Sequence, residues 1–106
     1  MKLLLNTQEE RCRMEVYGEY LKKIPQLLSQ LEAVETMYQK ALMEEAMLAD
    51  KDPSDPSTAL YLDRLARTKT QCLDRMADIR NQLQLIFALK GQIEKESPAL
   101  AAFITE

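Results

Sequence analysis

The 106-residue chain contains no histidine, no tryptophan and only two glycines. Histidine is the side chain used most often for proton transfer near neutral pH, and it is a common metal ligand. Gly18 and Gly91 stand alone, so the sequence lacks a glycine-rich loop of the kind that holds phosphate groups. It also lacks a nucleophile with a neighbouring base and any metal-ligand spacing. We therefore expect a protein that is not an enzyme and that needs no cofactor or metal ion.

Clustered positive charge and long apolar runs are also missing. The formal net charge is −3, and without a patch of lysine and arginine an extended nucleic-acid-binding surface is not expected. The run Leu3, Leu4 and Leu5 is shorter than the apolar region of a signal peptide, and no segment approaches the ~20 apolar residues of a membrane span. We expect a soluble cytoplasmic protein in which the two cysteines, Cys12 and Cys72, remain thiols.

What the sequence does contain is a long apolar seam in its second half. The members of this seam recur alternately three and four residues apart, which is the heptad spacing of helices that pack lengthwise on other helices. The pattern predicts an all-α fold with coiled-coil-like packing. The seam residues that we expect to carry this packing and to bind a partner are Leu62, Leu65, Cys72, Met76, Ile79, Leu83, Ile86 and Ile93.

Two lysines, Lys69 and Lys90, occupy seam positions where apolar side chains are expected. One interpretation is that they fix the register or select the partner, as single polar residues do in coiled coils. Glu45 lies on the inner stripe of the first half, and it would then meet Lys69 across the helix pair. The other interpretation is that the lysine stems pack while their ammonium groups reach water.

The first half of the chain is expected to form one helical arm over residues 8–50. Thr7 can cap its start while Glu10 hydrogen-bonds back to the backbone of Thr7. An apolar stripe then continues in phase past Pro25. A true break would normally show a capping residue just before the proline, and residues 21–24 offer none. We therefore favour a single helix kinked at Pro25 over two separate helices.

A proline-rich turn is expected over residues 50–57, because Pro53 and Pro56 exclude a continuing helix through the residues before them. A long helix should follow over 57–95, and the candidates for its N-terminal cap are Asp55, Ser57 and Thr58. A short apolar tail helix is expected over 98–105, and it either packs over the open end of the helices or docks on another protein. Residues 1–106 are thus expected to form a single helical domain.

Two arms of nearly equal length predict an antiparallel helical hairpin. The second arm, however, carries more apolar surface than one facing helix can cover, in Leu73, Leu85, Phe87 and Leu89. Leaving several such side chains in water would consume much of the stability of a small domain. Either the N-terminal arm folds back at Pro25 to make a three-helix bundle, or a second chain covers this surface. We expect a homodimer or a complex with another helical protein.

Methionines and tyrosines are spread along both arms as an adaptable apolar set. Core filling is the default interpretation, but methionine-rich surfaces can also repack around different ligands. These features together favour a small chaperone or adaptor that binds helical partner proteins. The alternative is a structural subunit of a larger helical assembly such as a secretion apparatus.

The segment LADKDPSDPSTAL, residues 48–60, resembles the interhelical turn of type III secretion needle subunits, which are small helical hairpins with a Pro-Ser-Asp-Pro-like connection. The size, acidity and helical composition of the chain also resemble the chaperones of type III secretion and flagellar export, which hold helical clients before secretion. The resemblance implies a hairpin that assembles with, or chaperones, helical proteins. The chain differs from needle subunits in its greater length, its cysteines and its C-terminal sequence, so no functional residue is carried over.

Overall fold

A computed structural model describes residues 8–98, which form two long α-helices joined by a short turn. Helix α1 spans Gln8–Met47 and helix α2 spans Pro56–Glu96, with 40 and 41 residues respectively. No β-strand occurs in this described range. The expectation of an all-α helical hairpin is therefore confirmed.

Helix α1 continues through Pro25 without ending. Because proline has no backbone N–H, the carbonyl group of Leu21 loses its usual helical partner at this point. Pro25 is exposed, so water can satisfy a backbone group that would be costly to leave unpaired in the interior. The three-helix bundle, which needs a corner at Pro25, is not supported by the two helices of the described residues.

The interhelical turn begins earlier than the sequence predicts, because α1 ends at Met47 rather than near residue 50. The N–H group of Leu48 donates to the carbonyl oxygens of both Glu44 and Glu45, each at 3.1 Å. Such shared bonds mark the tightening of a final helical turn. The proline-rich segment is therefore preceded by a few residues that already leave the helix.

Helix α2 starts at Pro56, one residue before the predicted boundary. The Asp55 carboxylate accepts hydrogen bonds from the backbone N–H of Thr58 at 3.0 Å and from its hydroxyl at 3.2 Å. Asp55 is thus the N-terminal cap, as its side chain satisfies an amide that has no partner within the helix. Proline is well suited to the first helical position, where its missing N–H is not needed.

Helix α2 ends at Glu96, one residue past its predicted end. The predicted tail helix over 98–105 lies outside the described residues, apart from Pro98. The predicted cap Thr7 also lies outside them. Cys12 is exposed and Cys72 is buried, and both are free thiols.

The described residues divide into two compact units, and each unit pairs a segment of α1 with a segment of α2. The terminal unit comprises residues 8–28 and 81–98. In it the Ser97 hydroxyl donates to the Glu10 carboxylate at 3.3 Å, and the Tyr17 hydroxyl donates to the Glu94 carboxylate at 2.6 Å. Glu10, near the start of α1, pairs with Ser97 at the end of α2, and the later residue Tyr17 pairs with the earlier Glu94. The two segments are therefore antiparallel. The apolar core of this unit consists of Tyr17, Leu27, Leu83 and Ile86.

The turn unit comprises residues 29–80 and contains the interhelical turn. The Tyr61 hydroxyl donates to the Glu44 carboxylate at 2.8 Å near the turn, and Arg75 donates to the Gln30 side chain at 3.2 Å farther along the helices. These contacts show that its two segments are also antiparallel. The core of this unit consists of Ala41, Leu65, Cys72, Met76 and Ile79.

Candidate partner-binding surface

The eight predicted seam residues lie along α2, five of them in the turn unit and three in the terminal unit. Leu62 and Ile93 are partly exposed. The other six are buried: Leu65, Cys72, Met76, Ile79, Leu83 and Ile86. A buried side chain offers almost no area to a separate chain while the helices stay packed, so these six residues carry the packing of the chain itself, and their binding of a partner stays a prediction.

Lys69 and Glu45 form an ion pair inside the turn unit, as the seam pattern predicts. The Lys69 Nζ atom lies 2.8 Å from Glu45 Oε1, and each side chain is only about a quarter exposed, at 27%. The lysine therefore does more than extend into water along an apolar stem. Its ammonium group has a specific partner on the opposite helix, which supports the interpretation that this position fixes the register.

A polar cluster lies inside the terminal unit around Tyr17, which has no exposed surface. Glu94 Oε2 accepts hydrogen bonds from the Tyr17 hydroxyl at 2.6 Å and from Lys90 Nζ at 2.5 Å. The Lys90 ammonium also lies 5.7 Å from the centre of the Tyr17 ring, within the range of a cation–π contact. The second seam lysine thus has a partner too, although this one lies on its own helix.

This cluster shifts two pKa values in opposite directions. Burial, followed by the hydrogen bond to Glu94, raises the pKa of Tyr17 to about 12. The hydrogen bonds from Lys90 and then from Tyr17 lower the pKa of Glu94. Each shift favours the form of the group that makes this hydrogen bond, the neutral phenol of Tyr17 and the ionised carboxylate of Glu94.

The turn unit has an open groove on one flank of its helix pair, of about 340 Å³, with a smaller apolar depression beside it. Glu44 and Tyr61 line both, so the two lie next to each other, and we name them together the tip groove. Met37 is 54% exposed and Met47 is 70% exposed. The full lining of the tip groove is Met37, Lys40, Ala41, Glu44, Met47, Leu48, Tyr61, Arg64, Leu65 and Thr68.

The tip groove combines apolar walls with uneven charge. The Tyr61 hydroxyl donates to the Glu44 carboxylate where the two depressions meet, and this bond is the main cause that raises the pKa of Tyr61. Lys40 and Arg64 line the same groove. Neither of these two cations forms an ion pair with any residue between 8 and 98. The lining of the groove therefore carries two cations without an ion pair among residues 8–98, against one carboxylate.

The terminal unit also exposes large apolar side chains, with Leu85 at 60% and Phe87 at 50%. Leu73 in the turn unit is exposed as well. All three belong to the surface that the sequence predicts to exceed one seam. The prediction that the apolar surface of the second arm extends beyond what one facing helix covers is confirmed for these three residues. The fourth predicted residue, Leu89, is half-buried.

Sequence reasoning did not find the tip groove, although a signal for it exists. On α1, beside the buried Ala41, four residues recur at three- and four-residue spacing: Met37, Lys40, Glu44 and Met47. Such a row lies along one flank of a helix. An apolar row that includes charged residues is easily assigned either to the core or to solvent, and only the burial of Ala41 shows that this row borders the core.

The described residues contain no group of three or more histidine, cysteine, aspartate or glutamate side chains that could hold a metal ion. Neither α1 nor α2 has an apolar stretch long enough to cross a membrane. In comparisons of the chain with protein-family models, curated proteins and solved structures, nothing matches. The exposed apolar side chains of the tip groove, and of Leu85 and Phe87, are the surface features that distinguish the described residues.

Proposed function

We infer that this chain is a non-enzymatic protein-interaction module, a small chaperone or adaptor that binds helical segments of other proteins. The observation that carries this proposal is the tip groove, where Met37, Met47 and Tyr61 remain exposed beside a packed core. Large apolar side chains that line one concave surface are typical of protein-binding sites.

The chemistry of the groove supports a binding role for several partners rather than one rigid fit. Methionine has three rotatable side-chain bonds and a polarisable sulfur, so its side chain adapts to differently shaped apolar groups. Tyrosine adds apolar area together with a polar hydroxyl. Both properties suit a chaperone or adaptor that binds several helical segments.

A second candidate function is that of a structural subunit in a larger helical assembly. The observation that favours it is the exposure of Leu85 and Phe87 in the terminal unit, in addition to the tip groove in the turn unit. A chain with two different exposed apolar surfaces can bind its neighbours head to tail. Such contacts build an open filament when the rotation between neighbours does not close a ring. The resemblance of residues 48–60 to the turn of needle subunits stays a prediction that agrees with this alternative.

Affinity capture from an extract of the native cells tests the proposal. The wild-type chain is compared with the Met37→Ser/Met47→Ser variant and with a matched control, Leu85→Ser/Phe87→Ser, which removes the same number of exposed apolar side chains from the other unit. We expect the tip-groove variant to lose the captured helical protein and the control to keep it. Equal capture by both variants would contradict the proposal.

Sedimentation over a range of concentrations separates the two candidate functions. A chaperone or adaptor is expected to reach a finite mass of at least twice 12.2 kDa, because a dimer or a hetero-complex covers the excess apolar surface. A structural subunit is expected to grow continuously with concentration, and each double variant should then stop that growth.

A further inference from the structure

We propose that the tip groove binds an amphipathic helix whose apolar face enters the groove and whose flanking carboxylates meet Lys40 and Arg64. This inference rests on the proposed function and adds to it the chemistry of the partner segment. Its two supports are the direction of the groove and the placement of its cations.

The direction of the groove fits a helix. Its lining residues on α1, from Met37 to Met47, and those on α2, from Tyr61 to Thr68, form two rows with spacings of three and four residues. Rows of this kind run along the axes of their helices, so the space between them is parallel to both. Met47 lies ten residues after Met37, or about 15 Å along the axis of α1, which corresponds to about three turns of a docked helix.

Grooves between two packed helices commonly accept a third amphipathic helix through apolar anchors spaced three and four residues apart. The floor of the tip groove is formed by Ala41 and Leu65, which are buried. The small Ala41 side chain leaves room above the floor for an anchor from another chain. Met37 and Met47 are exposed at the wall and can close around that anchor.

The charges select the kind of helix. Lys40 lies on the α1 row and Arg64 on the α2 row, so each wall of the groove carries one cation. Both are exposed and without an ion pair among the described residues. A helix with carboxylates on both sides of its apolar stripe places an acidic group at each cation, whereas a helix with lysines there is repelled.

A second copy of this chain fits the groove less well. The turn unit, residues 29–80, carries ten aspartates and glutamates against seven lysines and arginines, so its surroundings are acidic outside the groove. Two copies brought together through this unit would oppose like charges. A partner whose carboxylates are confined to the two flanks of one helix places them at Lys40 and Arg64, and its other surfaces need not be acidic.

The test uses two synthetic peptides about three turns long, held helical by a hydrocarbon staple on the solvent face because free helices of this length are marginal in water. Both carry the same leucine stripe. One has glutamates on the two flanks and the other has lysines there. We expect the full chain to bind the glutamate peptide about tenfold more tightly in fluorescence anisotropy, and this preference should shrink as salt is raised.

Charge reversal locates the site. In the Lys40→Glu/Arg64→Glu variant we expect the preference to invert, so that the lysine peptide binds more tightly. The matched control is Lys22→Glu/Lys23→Glu, which reverses two exposed cations in the terminal unit, and it should keep the wild-type preference. Circular dichroism verifies that both variants remain helical, and the peptide pair on the wild-type chain gives an answer that needs no variant.

Several results would overturn the inference. One is equal binding of the two peptides by the wild-type chain, and another is an unchanged preference after charge reversal in the groove. A third is a dimer of the chain that excludes both peptides and dissociates in Lys40→Glu/Arg64→Glu, which would assign the groove to a second copy. A fourth result would separate this inference from the proposed function. If capture of a helical partner requires Met37 and Met47 but is unchanged by reversal of the two cations, the proposed function stands and this inference is wrong.

Discussion

The ammonium group of Lys69 lies 2.8 Å from the Glu45 carboxylate, within a seam whose neighbouring members Leu65 and Cys72 are buried. Each partner is about three-quarters removed from solvent. A shift of one helix along the other would leave both charges partly buried without a partner, which is costly. The pair therefore favours a single register of the turn unit, in the way that polar residues in coiled coils do.

The first prediction concerns this pair. Glu45→Leu leaves the Lys69 ammonium partly buried without its carboxylate, and we expect a loss of about 1–2 kcal/mol in the free energy of unfolding. The double variant Glu45→Leu/Lys69→Leu removes both charges and should recover most of this loss, because an apolar pair of similar size packs well in a seam. Urea unfolding followed by circular dichroism measures all three chains.

The exchanged variant Glu45→Lys/Lys69→Glu is the control for this prediction. It keeps one charge of each sign at the same two positions, so it should be close to wild type in stability. If the single variant Glu45→Leu were as stable as wild type, the pair would have no part in holding the register.

The second prediction concerns the buried hydroxyl of Tyr17. Tyr17→Phe keeps the ring but removes the hydrogen bond to Glu94, and we expect the free energy of unfolding to fall by about 1 kcal/mol at neutral pH. Tyr38→Phe is the matched control, since Tyr38 is half-buried and its hydroxyl forms no hydrogen bond with any residue between 8 and 98. Chemical denaturation of the two variants should show a clear loss only for Tyr17→Phe.

The third prediction follows from the pKa values of the same cluster. The pKa of Tyr17 is raised from 10.0 to about 12, so its contribution to stability is full below pH 10 and is lost as the pH rises towards 12. The pKa of Glu94 is lowered, so its contribution is present above the ordinary glutamate value and is lost as the pH falls through the folded-state value. Unfolding measured across the pH range should show both losses in wild type.

Tyr17→Phe isolates the alkaline part of this prediction. The variant has no hydroxyl to ionise at this position, so its stability should decline less between pH 10 and 12 than that of wild type. The chain has no tryptophan, and the absorbance of tyrosinate can therefore be followed in the same titration. A wild-type chain whose alkaline decline equals that of the variant would contradict the assignment.

The fourth prediction compares two positions on α2 within the turn unit. Ile79 has no exposed surface, whereas Leu73 is 50% exposed. Ile79→Asp buries a carboxylate without a partner, and we expect a loss of several kcal/mol, comparable to the whole stability of a small domain. Leu73→Asp should change the free energy of unfolding by less than about 1 kcal/mol. Circular dichroism should show a clear loss of helicity only in Ile79→Asp. Similar helicity in both variants would contradict the assignment of Ile79 to the buried seam.

The fifth prediction concerns Pro25, which lies inside a continuous helix. Pro25→Ala restores a backbone donor and a strong helix former, so thermal stability is expected to rise or stay level. Pro56→Ala is the control, because proline at the first position of α2 removes no needed donor and its loss should bring no gain. A marked drop in the melting temperature of Pro25→Ala would show that the chain needs a bend at this position.

Patterns that repeat along the chain predicted most of the fold. The seam from Leu62 to Ile93 gave the length of α2, because helical periodicity is a property of many residues together. The capping role of Asp55 was also accessible, since it depends on a side chain and an amide three residues apart. The end of α1 was placed three residues too late, because a shared hydrogen bond at Leu48 leaves no mark in the sequence.

The tip groove was harder to predict, because it depends on which flank of each helix remains uncovered. Met37 and Tyr61 look like core residues in the sequence, and their exposure follows from the packing of α1 against α2 near the turn. The partner of Lys69 was predicted correctly, as a charge in an apolar seam demands an opposite charge nearby. The hydrogen bond between Tyr17 and Glu94 was not predicted from the sequence, because Glu94 does not interrupt any apolar pattern.

Site-specific photocrosslinking in native cells tests the central claim most directly. A photoreactive residue replaces Met37 at the wall of the tip groove, and in a control it replaces Lys22, which is exposed in the terminal unit. We predict that position 37 crosslinks to the apolar face of a helix in another protein and that position 22 does not. Products from position 37 that are no more abundant than those from position 22, or that join only copies of this chain, would contradict the account.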